Sequence, residues 1–272
     1  LMKSEVSDAP LTSESIVMAS LTSGDPLLLE SRCGGGLVLT MTTSSHHRGV
    51  TLAVTWRSCV ALYCVVMLYA SLHELVHHVA GYVACGDWGY KTFNYFSTAC
   101  EGSTSSWMAT FAGPAFSYAM MWVGWWWLAR AKSTALQRQL GFAMIFAQLP
   151  LQRLSGPLFG HNDEYFAAWH LFGVSATTRW VTFAVICACC IPPLVGAWRA
   201  IRNRRRTGWF LLYFTLLPYL LWGPFFALLE YLLTQRHVLD GQTIGIAHLF
   251  IINEVVTIIA FVGIVPYIAL QL

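Results

Sequence analysis

The sequence predicts an all-α polytopic membrane protein with about six transmembrane helices and a short membrane-surface hairpin after the first. Three observations carry that prediction. Of the 272 residues, 56% are hydrophobic and 11% charged, against roughly 25% charged in soluble domains, so the charges are too few to cover a water-facing surface. Apolar stretches close to the ~20 residues that cross a bilayer recur from residue 54 onward. Tryptophans gather at the ends of these stretches, as they do at membrane–water interfaces. The lipid bilayer is thus the first expected partner. A net charge of +3 with dispersed basic residues argues against nucleic acid, and the apolar content excludes disorder for most of the length.

Residues 1–49 are rich in Ser, Thr and Gly and read as a flexible arm. The segment from Pro26 to Met41 is too interrupted, by Glu30, Arg32 and a glycine run, to span a membrane. The six apolar stretches are then Val54–Ala84, Trp107–Ala129, Leu140–Phe159, Trp180–Trp198, Trp209–Leu233 and Ile244–Leu270. Most contain proline, which spanning helices tolerate because neighbours satisfy the freed carbonyls. The longest connection, Cys85–Ser106, holds an aromatic and β-branched run over 88–97 that reads as a hairpin at the membrane surface. Cys187, Cys189 and Cys190 lack zinc-ribbon spacing and read as small apolar residues.

The chemistry concentrates in His73-Glu74-Leu75-Val76-His77-His78. On a helix, residues four apart are separated by about 40° around the axis, so His73 and His77 reach one metal ion. Glu74 lies one step round, placed to handle a water without being a ligand. So many ionisable residues inside a spanning segment are costly in lipid, which argues for a functional site. A catalytic zinc needs a third protein ligand and one open position. Asp163, Glu164 and His161 follow the Gly/Pro-broken third stretch, and Glu230, His248 and Glu254 are more distant competitors.

These features together resemble the site-2 protease family of intramembrane zinc metalloproteases. The resemblance rests on the His73-Glu74-x-x-His77 helix, the following hairpin, Ala112-Gly113-Pro114 opening the second helix, and an Asp after the broken third stretch. It covers residues 55–170, so the chain divides into the arm 1–49, a zinc-protease-like core 50–170, and three further helices in 171–272. The resemblance implies a zinc-dependent endopeptidase that cleaves a membrane-protein substrate in or near its transmembrane segment. His73, His77 and Asp163 would be the zinc ligands and Glu74 the general base on a zinc-activated water. Where the family's third-ligand signature leads into Leu-Asp-Gly, this chain reads Gly-Pro-Leu-Phe-Gly-His-Asn-Asp163-Glu164.

His78, four residues after Glu74, is placed to support it from behind. The 88–97 hairpin can hold an unwound substrate by strand addition, with Asn94 contributing. Two other classes compete. A di-iron hydroxylase would use His73, His77 and His78 as one histidine box, but the remaining histidines form no second box. An ion or proton transporter would need further charged or polar groups along a path through the later helices, where only Glu230, His248, Asn253 and Glu254 are offered.

The expected location is a cell membrane, crossed several times. With six spans, the basic residues of 130–139 and 199–207 lie on one side, which the positive-inside rule makes cytoplasmic. The Cys85–Ser106 loop then faces outward and can carry a Cys85–Cys100 disulfide. The family resemblance implies the opposite orientation. The density of Arg202 and Arg204–Arg206 favours the charge rule.

Overall fold

The computed structural model describes residues 29–33, 36–40, 49–103, 105–239 and 241–269. Helix makes up 73% of it. Two units are distinct, 1–47 and 48–272. In the first, β1 (Leu29–Cys33) and β2 (Gly36–Thr40) pair antiparallel, with Leu29 opposite Thr40 and Cys33 opposite Gly36. A hairpin therefore occupies part of the arm expected to be flexible. The rest of that expectation lies outside the described residues.

The second unit is a helical assembly of α1 (Trp56–Cys85), α2 (Ser106–Ala129), α3 (Ala135–Ala147), α4 (Pro150–Phe159), α5 (Asp163–Phe172), α6 (Ala176–Ala200), α7 (Arg206–Gln235) and α8 (Ile251–Ala269). Helix α7 contains two π-helical stretches, Leu212–Leu216 and Glu230–Gln235. A short hairpin, β3 (Thr243–Ile244) with β4 (Leu249–Phe250), precedes α8. Three helices, α1, α6 and α7, are long and apolar enough to cross a membrane. At 1.5 Å per residue, the 30 residues of α1 extend ~45 Å, more than a hydrocarbon core of about 30 Å.

The distribution of side chains fits a lipid surround. Trp180, Val181 and Val185 of α6, Leu216, Leu220 and Leu228 of α7, and Ile258, Ile259 and Phe261 of α8 point outward. Ser71, His77, His78, Ser117, Gln148 and Glu164 are buried. Helix α1 starts at a Thr55–Ser58 capping box and packs against α2, α3, α7 and α8. Gly124 of α2 and Gly141 of α3 meet so closely that a Cβ on either would come within 2.5 Å of the other's carbonyl oxygen. Small residues at a helix crossing are what allow such backbone approach.

The third apolar stretch is not one helix. It breaks at Gln148–Leu149, where Leu149 takes a left-handed φ of 49° immediately before Pro150. A residue before proline is driven out of the right-handed helical region, so the chain restarts with Pro150 at the first turn. Two other prolines free carbonyls that side chains take up. Pro193 releases Cys189 O, which accepts from Trp122 Nε1 at 3.0 Å; Pro157 releases Arg153 O, which accepts from Asn162 Nδ2 at 3.4 Å.

The surface hairpin after α1 is small. Lys91 and Phe96 form a single antiparallel bridge, and the Thr92 and Ser97 amides donate to the Tyr95 and Tyr90 carbonyls, each at 2.8 Å. A Cys85–Cys100 disulfide closes the loop that carries it. Asn253 of α8 donates to Phe93 O at 3.0 Å and ties the hairpin to the C-terminal helix.

Candidate metal centre

Among the described residues, one group of ligand-bearing side chains converges tightly enough to hold a metal ion. His73, Glu74 and His77 each offer an atom within 4.8 Å of the others. The two imidazoles meet because α1 is continuous through them: His73 Nε2 and His77 Nε2 are 3.0 Å apart. Asp163 Oδ2, from the first turn of α5, lies 3.1 Å from His73 Nε2 and 3.3 Å from His77 Nε2. Three ligands held 2.0–2.2 Å from a tetrahedral zinc would stand about 3.3 Å apart, so this triangle has the size of such a face.

A hydrogen bond on the far side of the His77 ring fixes which of its nitrogens faces the triangle. His77 Nδ1–H donates to the Ala109 carbonyl at 2.7 Å, which leaves the lone pair at Nε2. With Nε2 of His73 likewise kept for a metal, its Nδ1–H donates to Ser117 Oγ at 3.0 Å. Two nitrogen lone pairs and a carboxylate oxygen then point at one place. Electron pairs at that spacing repel unless a proton on one ring or a metal cation among them compensates, and a cation satisfies all three at once. Two imidazoles with one carboxylate suit zinc and also ferrous iron.

Each ligand has a local reason for its position. Gly113 lets α2 press against His77, since a Cβ there would sit 2.2 Å from His77 Nε2. Phe96 of the hairpin stacks on the other face of the same ring, with centroids 4.4 Å apart. Gly160 ends α4 in a left-handed conformation, and the Asn162 side chain caps α5 by accepting from Tyr165 N at 3.0 Å. Asp163 then occupies the first turn of α5, where a negative charge is favoured by the helix dipole.

The cluster opens onto a cavity of about 540 Å³, whose lining includes Glu74, Asn94, Tyr95, Gln152, Arg153, Phe166 and Trp222. Asn94 thus lines the space that the ligand atoms face. His78 does not: its Nε2 donates to the Ala247 carbonyl at 2.6 Å and its ring stacks on Trp88. It ties α1 to the β3–β4 turn, away from Glu74's cavity. Two of the competing ligands are likewise directed elsewhere. Glu164 accepts from Tyr118 Oη at 2.6 Å and Arg153 Nη1 at 2.9 Å, and Glu230 accepts from Thr234 Oγ1.

Ser117, Tyr118, Gln148 and Arg153 also stand around the site, and motif reasoning missed them. The available signal was Arg153, a charge within the third apolar stretch, where an ionisable residue is by default a functional suspect. Its side chain is only 14% exposed and lies within the network. No protein-family model, curated protein or solved structure matches this chain.

Proposed function

We propose that this protein is an integral membrane zinc endopeptidase, similar to the site-2 protease family, that hydrolyses a peptide bond in or near a transmembrane segment of another membrane protein. The observation that carries the reading is the triangle of His73 Nε2, His77 Nε2 and Asp163 Oδ2, with a Glu74 carboxylate oxygen within 4.8 Å of ligand atoms of both histidines and so within reach of a water at the same point. A zinc ion at that point would supply Lewis acidity, polarising the scissile carbonyl and lowering the pKa of water toward ~7. Glu74 takes the proton of the attacking water and returns it to the leaving amine. His73, His77 and Asp163 would hold the ion, and the Ala109 carbonyl and Ser117 hydroxyl hold the histidine rings. An extended substrate segment lies along the hairpin beside Asn94 and Tyr95, which line the cavity.

Six passes through a cell membrane are part of the proposal, with α1, α2, the broken pair α3–α4, α6, α7 and α8 as the spans. The His-Glu-x-x-His geometry favours hydrolysis over iron chemistry, because it sets a carboxylate beside the ligands as a base. The sparse charge of α6–α8 favours an enzyme over an ion carrier. The test is a paired measurement on detergent-purified protein. Elemental analysis should return one zinc per chain, and a spanning substrate should be cleaved. Glu74→Gln should keep the zinc and lose roughly 10²–10⁴-fold in rate. Wild-type cleavage by Glu74→Gln would remove this mechanism.

A further inference from the structure

We infer that Arg153 is the positioning residue of the metal centre, acting through Ser117 on His73 and through Glu164 and Asn162 on Asp163. The inference rests on the metal-binding part of the proposed function and not on its proteolytic part. Arg153 stands on α4, just after the break at Gln148–Leu149, and its guanidinium reaches two other helices and the break itself. Nη2 donates to Ser117 Oγ of α2 at 2.8 Å, Nη1 to Glu164 Oε1 of α5 at 2.9 Å, and Nε to the Gln148 carbonyl at 3.1 Å. The same nitrogen that holds Ser117 lies 3.4 Å from His73 Nδ1, so Ser117 Oγ receives the arginine and the histidine side by side. Ser117 is itself fully buried and cannot turn to water instead.

The second branch runs to the carboxylate ligand. Glu164 follows Asp163 directly, so locking its side chain against Arg153 and Tyr118 sets the rotation of α5 and turns Asp163 toward the histidines. The backbone of Arg153 contributes as well, because its carbonyl, freed by Pro157, accepts from the Asn162 side chain at the start of α5. A planar fork with donors in three fixed directions can span these partners. A lysine ammonium carries the same charge on a single nitrogen and cannot. Geometry, not charge alone, is therefore what the residue supplies.

The experiment measures Zn²⁺ affinity on full-length protein in detergent, by competition with a chromophoric chelator, and records the visible ligand-field bands of the Co²⁺ form. Ser117→Ala should weaken Zn²⁺ binding about 10–100-fold and shift the Co²⁺ bands, and Ser117→Thr should restore both. Arg153→Lys should weaken binding at least as much as Ser117→Ala. Ser117→Ala added to Arg153→Lys should cost less than Ser117→Ala costs alone, because the two act in one chain. Wild-type affinity and spectrum in Arg153→Lys, or losses that multiply in the double variant, would overturn the inference. If Arg153→Lys fails to fold, the Ser117 Ala/Thr pair decides alone: unchanged affinity in Ser117→Ala refutes it. A wild-type protein that binds no Zn²⁺ overturns the metal centre itself. Shifted affinities in a protein that cleaves nothing uphold the positioning role and remove only the proteolytic reading.

Discussion

Replacing Gly113 with alanine places a methyl carbon 2.2 Å from His77 Nε2 and 2.6 Å from both carbons flanking it. That is about the distance at which a zinc ion would sit from the same nitrogen. The ring cannot swing aside, since Nδ1 is bonded to Ala109 O and Phe96 stacks on its face. Helix α2 and His77 must therefore part by about 1.2 Å to reach ordinary contact, several times the ~0.2 Å tolerance of a metal–ligand distance. Overpacking of this kind costs about 1–3 kcal/mol, and alanine's better helix propensity offsets about 0.5–1 kcal/mol of it. The net expectation is a modest loss of stability with a disproportionate loss of metal. Gly208→Ala is the matched control: it lies in α7 with nothing within 4 Å of the new Cβ, so it should be neutral or slightly stabilising with metal retained. Thermal melts followed by circular dichroism, with elemental analysis of the same samples, separate the two effects. A Gly113→Ala protein that keeps both wild-type zinc content and wild-type melting temperature would refute the described contact between α2 and His77.

Other perturbations read different parts of the structure. His73→Ala, His77→Ala and Asp163→Ala should each abolish or strongly weaken metal retention, and full retention by Asp163→Ala would remove that residue from the centre. Lys91, in the hairpin and 2% exposed, has its pKa lowered by burial, with the Glu74 and Glu254 carboxylates opposing. Between the lowered folded value and the ordinary lysine value the unfolded chain binds more protons, so stability rises with pH across that alkaline window. Lys91→Met should accordingly stabilise the protein near neutral pH, by a margin that shrinks as pH climbs toward the lysine range; a margin independent of pH in denaturation curves would refute this. The Cys85–Cys100 bridge, closing a separation of 15 residues, should contribute up to about 3 kcal/mol, seen as a lower unfolding midpoint after reduction. Under the charge-derived orientation, those two cysteines become labelled by an impermeant thiol reagent in intact cells after mild reduction; labelling only after permeabilisation would reverse the orientation.

Local chemistry made part of this protein legible from residue order. Periodicity is a property of one helix, so the spacing of His73 and His77 announced a shared ligand face, and Glu74 fell beside it. Apolar length and charge scarcity likewise announced a helical membrane protein, and prolines marked where helices would need outside partners. What residue order left open was every choice between partners distant in sequence. Asp163 and Glu164 are adjacent carboxylates in the same turn, and only the rotation of α5 separates a residue facing the imidazoles from one facing Arg153 and Tyr118. His78 shared a helix face with Glu74 yet turns to the Ala247 carbonyl, contributed by a segment 169 residues away. The third stretch looked like a single span, because apolar content says nothing about continuity. A left-handed Leu149 before Pro150 breaks it and brings Arg153 to the site. Hydrophobic pattern and helical period are set residue by residue, whereas the meeting of His73, His77 and Asp163 and its supports depend on how α1, α2, α4 and α5 pack. That packing follows from close approaches such as Gly113 on His77, which acquire meaning only once the chain is folded.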